Sequence, residues 1–137
     1  MVRVSSMFSQ VLREIPRWDF QEIVQEYNGE FGSKGFTCWD QLVGMLFCQL
    51  GRAESLREIQ HGLAACEGKL KHLGISKPPG RSTLSYANEH RPSEMYETLF
   101  YRMMNRFQGM GLNQRKARFR FKNPLLSVDT TTITLCL

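Results

Sequence analysis

The sequence lacks any apolar run long enough to cross a membrane. Its longest such run lies around residues 42–48, whereas a membrane-spanning helix needs about 20 consecutive apolar residues. Residues 1–15 mix charged and polar side chains with apolar ones, so the pattern of a secretory signal is also missing. These absences predict a cytoplasmic protein with no membrane partner. Its 137 residues suffice for one modest domain with a core.

The four cysteines lack the paired spacing that zinc sites use. They are Cys38, Cys48, Cys66 and Cys136. Cys66 and His72 are near enough in sequence to act as two ligands, but the chain contains no second pair to complete a tetrahedral site. The cysteines therefore give no indication of a zinc-binding fold.

Acidic residues are absent between Thr98 and Val128, although seven lysines and arginines lie there. The formal net charge of the chain is +5. A concentrated basic segment favours a polyanion, most often nucleic acid, through counterion release; the alternative is a solvated basic linker. Phe119 and Phe121 alternate with the basic residues, which favours the polyanion. The segment residues expected to contact DNA are Arg115, Lys116, Arg118, Arg120 and Lys122.

Helical spacing dominates the first hundred or so residues. Thr37 and Asp40 predict a capped start for a central core helix, whose apolar stripe runs over residues 39–50. Gly44 inside that helix predicts a close contact with another helix. Ser55 and Glu58 form the pattern of a second capping box, which predicts the start of a further helix.

Two more helices are predicted after a turn-rich break at residues 74–81. Ser82 or Thr83 is predicted to cap a short helix that ends near His90. Pro92 is predicted to lie in the first turn of the longest helix, because proline is tolerated there. That helix carries an apolar stripe over residues 95–110, which we expect to be buried in the core.

The segment from Leu63 to Arg91 has the order of elements of a helix-turn-helix motif, in which the second helix enters the major groove. Leu84 and Ala87 are expected to face inward. The residues then expected to contact phosphates and base edges are Arg81, Ser82, Thr83, Ser85, Asn88 and Arg91. Asparagine is a natural partner of adenine. The alternative is a polar surface helix of a small bundle, and the long break between the two helices favours that alternative.

Residues 125–137 have the pattern of a strand, an acidic residue, a turn of threonines and a second strand. A lone hairpin is marginally stable in water, so we expect these residues to open a larger α/β domain that is cut off. Asp129 is either a metal-binding carboxylate at a strand end or a turn aspartate. In the first case it would help hold the divalent ions of a phosphoryl-transfer site.

Four ordered motifs resemble the N-terminal half of a bacterial insertion-sequence transposase of the Asp-Asp-Glu type, closest to the insertion-sequence-four family. They occupy residues 41–51, 55–63, 81–92 and 126–131. The resemblance implies a helical domain that binds the transposon end, followed by a ribonuclease-H-like catalytic domain that uses Mg²⁺. It implies that Asp129 is the first catalytic and metal-binding carboxylate. The second Asp and the Glu of that family have no counterpart in this chain.

The sequence therefore predicts a mainly α fold in two parts. Residues 1–113 form a helical DNA-binding domain, and residues 114–137 form a basic connector and the first β-hairpin of a truncated ribonuclease-H-like α/β domain. We expect a truncated transposase that binds double-stranded DNA at insertion-sequence ends, in the bacterial cytoplasm and at the nucleoid when bound. The full-length enzyme would cleave and transfer strands with Mg²⁺, whereas this chain alone is expected to need no cofactor and to be inactive.

Two alternatives to that function remain open. One is a non-enzymatic DNA-binding protein that inhibits transposition by occupying the ends. The other is a decayed gene remnant. The protein partners compatible with either binding role are a second copy of the chain and a full-length transposase.

Overall fold

The computed structural model describes residues 7–66 and 68–113, with side chains as far as residue 110. In these ranges the chain is mainly helical, as predicted, and contains no strand. The helices are α1 (Met7–Arg13), α2 (Arg17–Glu26), α3 (Cys38–Gly51), α4 (Leu56–Ala65), α5 (Arg81–His90) and α6 (Glu94–Asn113), with a 3-10 turn at Leu70–Leu73. The predicted connector and β-hairpin of residues 114–137 lie outside the described residues.

Helix α3 lies at the centre of the core and begins as the sequence predicts. Thr37 Oγ1 accepts a hydrogen bond from the Asp40 N–H at 3.1 Å, and the Asp40 carboxylate accepts from the Thr37 N–H at 2.8 Å. This reciprocal pair satisfies two of the N–H groups that a helix start leaves without partners. The apolar stripe is buried at Trp39 and Val43, but Leu50 at the end of the helix is 57% exposed.

Helices α4 and α5 pack against α3 at Gly44, as the sequence predicts. A Cβ atom on Gly44 would lie 3.5 Å from a Leu84 methyl of α5 and 3.7 Å from a methyl of Ile59 on α4. The tighter approach is at Gly62, which the sequence did not indicate. A Cβ atom on Gly62 would lie 2.5 Å from Phe47 Cζ, so a side chain at this position would require the Phe47 ring of α3 to shift.

The start of α4 differs from the predicted capping box. Ser55 Oγ accepts from the Glu58 N–H at 3.3 Å, as expected, but the Glu58 carboxylate accepts from the N–H of Glu54 at 2.9 Å, not from that of Ser55. The Glu58 carboxylate thus accepts the hydrogen bond of the backbone N–H one residue before the N-cap. Because of this hydrogen bond, the negative charge of Glu58 lies beside the backbone of residue 54.

The predicted cap of α5 by Ser82 or Thr83 is wrong. Gly80 is the N-cap residue, α5 begins at Arg81, and no side chain caps the helix. Gly80 follows two prolines, which lack a backbone N–H and disfavour a helical conformation in the residue before them, so the helix does not extend back through this segment. Ser82 and Thr83 consequently lie inside the first turn, where both side chains are exposed.

The apolar stripe of α6 is buried only over its first part. Helix α6 begins at Glu94, two residues after Pro92, and buries Met95 and Leu99. Phe100 is 57% exposed and Phe107 47% exposed, so the prediction of a fully buried stripe is wrong. Length accounts for the exposure of Phe107: α2, which packs on α6, has 10 residues, whereas α6 has 20. At 1.5 Å per residue, α2 covers only about half of α6.

Arg102, which belongs to the acid-free segment, is paired with the acidic face of α2. Its guanidinium lies 2.8 Å from Glu22, 3.7 Å from Glu26 and 3.9 Å from Asp19. These partners raise the pKa of Arg102, and the hydrogen bond that Arg102 donates to Glu22 has the largest effect. The charge of Arg102 therefore faces the carboxylates of α2 and joins α6 to α2.

The 3-10 turn is fixed to the core by Trp39. Its indole N–H donates to the Leu73 carbonyl at 2.9 Å, and the Arg17 guanidinium lies 4.1 Å from the centroid of the same ring. Gly74 ends the turn with φ +75°, a conformation that side chains rarely adopt. A Cβ atom there would clash with Arg17 Nη1, so this position requires glycine. The turn fixes the direction in which the chain continues toward α5.

Candidate nucleic-acid interface

A turn of the length typical of a helix-turn-helix lies earlier in the chain than the sequence predicts. Residues 52–55 join α3 to α4, and a turn of three to four residues is typical of the motif. The connection from α4 to α5 is instead long and contains the 3-10 turn. Helices α4 and α5 nevertheless pack against each other. Their first turns consequently lie side by side on the surface.

A depression of about 580 Å³ lies between these first turns. It is lined by Ser55, Leu56, Arg57, Arg81, Ser82 and Ser85, and we call it the arginine–serine depression. Two arginines and three serines line it, and none of the described residues that line it carries a carboxylate. Four of these residues are exposed, namely Arg57, Arg81, Ser82 and Ser85, whereas Ser55 and Leu56 at the rim are half-buried. The arrangement is cationic and rich in hydrogen-bond donors.

The backbone of α5 adds to this positive character. Because Gly80 provides no side-chain cap, the first N–H groups of α5 point out of the helix end without the usual hydroxyl or carboxylate acceptor. A helix N-terminus also carries partial positive charge, which favours anions. Together with Arg57 and Arg81, these groups form a surface suited to phosphate oxygens.

The sequence predicted three residues of this surface and missed others. Arg81, Ser82 and Ser85 are brought together, as their spacing on one helix allows. Arg57 joins them from α4 and was not predicted. It lies within the capping pattern of residues 55–58, but the sequence does not reveal that this pattern lies beside the start of α5. Thr83 points instead into a second cleft, on the other side of α5.

Asn88, predicted to contact a base edge, faces α3. Its Oδ1 accepts from Gln41 Nε2 at 2.8 Å, and its Nδ2 lies 3.4 Å from Met45 Sδ. Gln41 is 3% exposed, so Asn88 satisfies a buried amide that has little access to water. The amide of Asn88 is thereby engaged in the packing of α5 on α3.

We expect Asn88→Ala to lower the free energy of unfolding by about 1–3 kcal/mol, the cost of leaving a buried donor without its partner. Urea unfolding of Asn88→Ala, Gln41→Ala and the double variant measures the coupling between the two side chains. Glu89→Ala, at the neighbouring exposed position, is the matched control and should leave stability unchanged. An unchanged stability in Asn88→Ala, together with lost discrimination between DNA sequences, would instead support the predicted base contact.

Arg91, also predicted to contact DNA, is bound to the loop before α3. Its guanidinium donates to the Thr37 carbonyl at 2.9 Å, to Gln41 Oε1 at 3.1 Å and to Ser33 Oγ at 3.2 Å. It also donates to the Phe36 carbonyl. Arg91 thus joins the end of α5 to residues 33–37, and its donors are directed into the protein.

The other predicted DNA contacts and the predicted catalytic carboxylate lie beyond the described residues. They are Arg115, Lys116, Arg118, Arg120, Lys122 and Asp129. Within residues 7–66 and 68–113, no group of three or more His, Cys, Asp or Glu side chains could hold a metal ion. In the same ranges, no helix combines the length and apolar character needed to span a bilayer.

Residues 3–76 match the family described as "Domain of unknown function (DUF4372)", which covers more than half of the chain. The matched range contains α1 to α4 and the 3-10 turn, and with them Ser55 and Arg57. Helix α5 lies beyond it. No curated protein and no solved structure shows significant similarity to the chain.

Proposed function

This chain belongs to the family described as a domain of unknown function (DUF4372), and from that premise we propose that it binds double-stranded DNA through the first turns of α4 and α5. The observation that carries the proposal is the arginine–serine depression. Arg57 and Arg81, from two different helices, line one surface with three serines, and no carboxylate is among the described residues that line it. Such a surface fits the phosphate oxygens of a DNA backbone.

The geometry suggests how the two helices share the duplex. A major groove about 12 Å wide admits one α-helix. Arg57 would contact a phosphate and fix the orientation of the domain, since backbone contacts set register. Arg81 and the uncapped N–H groups of α5 would hold the neighbouring phosphate. Ser82 and Ser85 would then point toward base edges, where hydroxyls can donate or accept.

The kind of DNA is proposed from the transposase resemblance. Two of the four motifs, at residues 41–51 and 55–63, lie inside the range that matches the family. They form most of α3 and most of α4. We propose that the bound DNA is a transposon end, and that the full-length protein of the insertion-sequence-four type transfers strands there with Mg²⁺.

A non-enzymatic DNA-binding protein, which would occupy the same ends and inhibit transposition, is the second candidate. One observation favours it: the described residues that line the arginine–serine depression are Ser55 and residues of α4 and α5. Binding and strand transfer are therefore separable in this proposal.

The test of DNA binding is fluorescence anisotropy with a labelled element-end duplex at several salt concentrations. We expect the logarithm of the association constant to fall linearly with the logarithm of salt, by about 0.9 per neutralised phosphate. A shuffled duplex of the same composition should bind more weakly at every salt concentration. No binding at low salt, or binding independent of salt, would contradict the proposal.

A further inference from the structure

A second cleft lies on the side of α5 away from the arginine–serine depression. It measures about 910 Å³ and lies between α5 and residues 28–36, the loop that connects α2 to α3. We call it the aromatic cleft, because the side chains of Phe31, Phe36, Tyr86 and His90 line it. Pockets that bind small ligands have about 300–1,000 Å³, so the space is sufficient for one nucleotide.

The rings of the aromatic cleft are available for stacking. Phe31 is 93% exposed and Tyr86 64% exposed. Tyr86 and His90, one helical turn apart, stack with ring centroids 3.9 Å apart and an angle of 17° between their planes. Flat rings that are already stacked and solvent-facing offer a surface on which a further planar ring can lie. Phe31 contributes little to the core, so packing does not account for its presence.

The charge of the aromatic cleft complements an anion. Lys34 and Arg91 are among its lining residues, and the described part of the chain contributes no aspartate or glutamate to the lining. Glu89 lies just outside it, 4.0 Å from His90. Because the guanidinium of Arg91 is bound to the loop, Lys34 is the cation whose ammonium can move to a ligand. Aromatic rings together with a lysine are the components of single-strand binding sites.

The loop side of the aromatic cleft is held in place before any ligand binds. Arg91 donates to Ser33 and to the Phe36 carbonyl, and its guanidinium lies 5.2 Å from the centroid of the Phe36 ring. Gly32 and Gly35 have φ of +70° and +81°, which glycine adopts without strain. A ligand therefore meets a formed surface and does not have to order it, which favours binding.

We propose that the aromatic cleft binds an unpaired DNA base. The base would stack against Phe31 and the Tyr86–His90 pair, and its phosphate would lie near Lys34. This inference rests on the proposed function, because α5 lines both the arginine–serine depression and the aromatic cleft. A duplex held on one side of α5 can thus place a base from its frayed or single-stranded end on the other side. Stacking of unpaired bases on Phe, Tyr and His rings is a common mode of recognition.

The experiment uses the full 137-residue chain and oligothymidylates of about ten nucleotides, a length within the usual site size. One oligonucleotide carries a central 2-aminopurine, whose fluorescence reports stacking, and a matched one carries abasic sites instead of bases. We expect the fluorescence to change on binding, and the abasic strand to bind about tenfold more weakly. A blunt duplex and a duplex with a three-nucleotide overhang distinguish a frayed end from a free single strand.

The variants are Phe31→Ala and Tyr86→Ala, and the matched control is Trp18→Ala, which removes an aromatic ring 72% exposed on α2. All three sites are on the surface, so circular dichroism and thermal unfolding should match those of the parent chain. We expect each cleft variant to weaken single-strand binding about tenfold and to abolish the fluorescence change. Trp18→Ala should do neither, and blunt-duplex binding should be unchanged in all three.

The outcomes separate this inference from the proposed function. If blunt duplex binds but the abasic and base-containing strands bind equally, or the cleft variants have no effect, the aromatic cleft does not bind bases. If bases stack in the cleft while blunt duplex does not bind, the inference survives and the proposed duplex function fails. An equal loss with Trp18→Ala would show a general aromatic effect and overturn the inference.

Discussion

Replacing Arg57 and Arg81 together with glutamine is expected to weaken duplex binding about 100-fold at low salt. Each arginine would lose a charge-assisted hydrogen bond, worth about 1.5–3 kcal/mol, and two such losses give at least this factor. The slope of affinity against salt should also become shallower by about two phosphates' worth, roughly 1.8. Both side chains are exposed, so the free energy of unfolding should change little. Anisotropy titrations over a range of salt measure both effects.

The matched control for this double variant removes the same charge elsewhere. Arg13→Gln with Lys71→Gln alters two exposed cations, one on α1 and one in the 3-10 turn. If the control weakens binding as much as the arginine pair does, affinity follows net charge alone. In that case the arginine–serine depression has no special role and the proposed surface is wrong.

Single variants distinguish the residues of the arginine–serine depression that contact phosphates from those that contact base edges. Arg57→Gln should weaken specific and shuffled duplexes equally, because a phosphate contact carries no sequence information. Ser82→Ala and Ser85→Ala should instead reduce the difference between the two duplexes. The reverse pattern would place the sequence-reading helix at α4, directly after the short turn at residues 52–55.

The sequence predicts the helices well wherever local chemistry decides their ends. Thr37 and Asp40 form the predicted reciprocal cap, since that pattern satisfies its own backbone groups without help from the rest of the protein. Gly44 likewise marks the contact between α3 and its neighbours. These features depend on residues a few positions apart, which a single sequence displays directly.

The predictions failed where distant packing decides. The apolar stripe of α6 has the pattern of a buried helix face, and the residues near it in the sequence do not reveal that α2 is only half as long as α6. Arg91 and Asn88 read as surface polar residues of a recognition helix, since their partners, Gln41 and residues 33–37, are distant in the sequence. Arg57 was missed because its proximity to Arg81 depends on the packing of α4 on α5.

The sequence predicts that Arg91 contacts DNA, whereas in the structure Arg91 binds the loop before α3. These two roles predict different effects of replacing Arg91 with lysine. A phosphate contact tolerates lysine, because an ammonium group also binds phosphate. The guanidinium seen here donates to acceptors on Ser33, Phe36, Thr37 and Gln41. A single ammonium on a shorter head group cannot reach all of them in one geometry. Lysine at this position should therefore preserve charge but not structure.

We expect Arg91→Lys to lower the free energy of unfolding by about 2 kcal/mol, and Arg91→Met by about 3–4 kcal/mol, because both leave partly buried acceptors without donors. Relative to a total stability of about 5–15 kcal/mol, these are large losses. Urea unfolding followed by circular dichroism measures them. Arg81→Lys is the matched control, since Arg81 is exposed and should tolerate lysine with little change in stability. If Arg91→Met leaves the free energy of unfolding unchanged but lowers the affinity for DNA, Arg91 contacts DNA, as the sequence predicts.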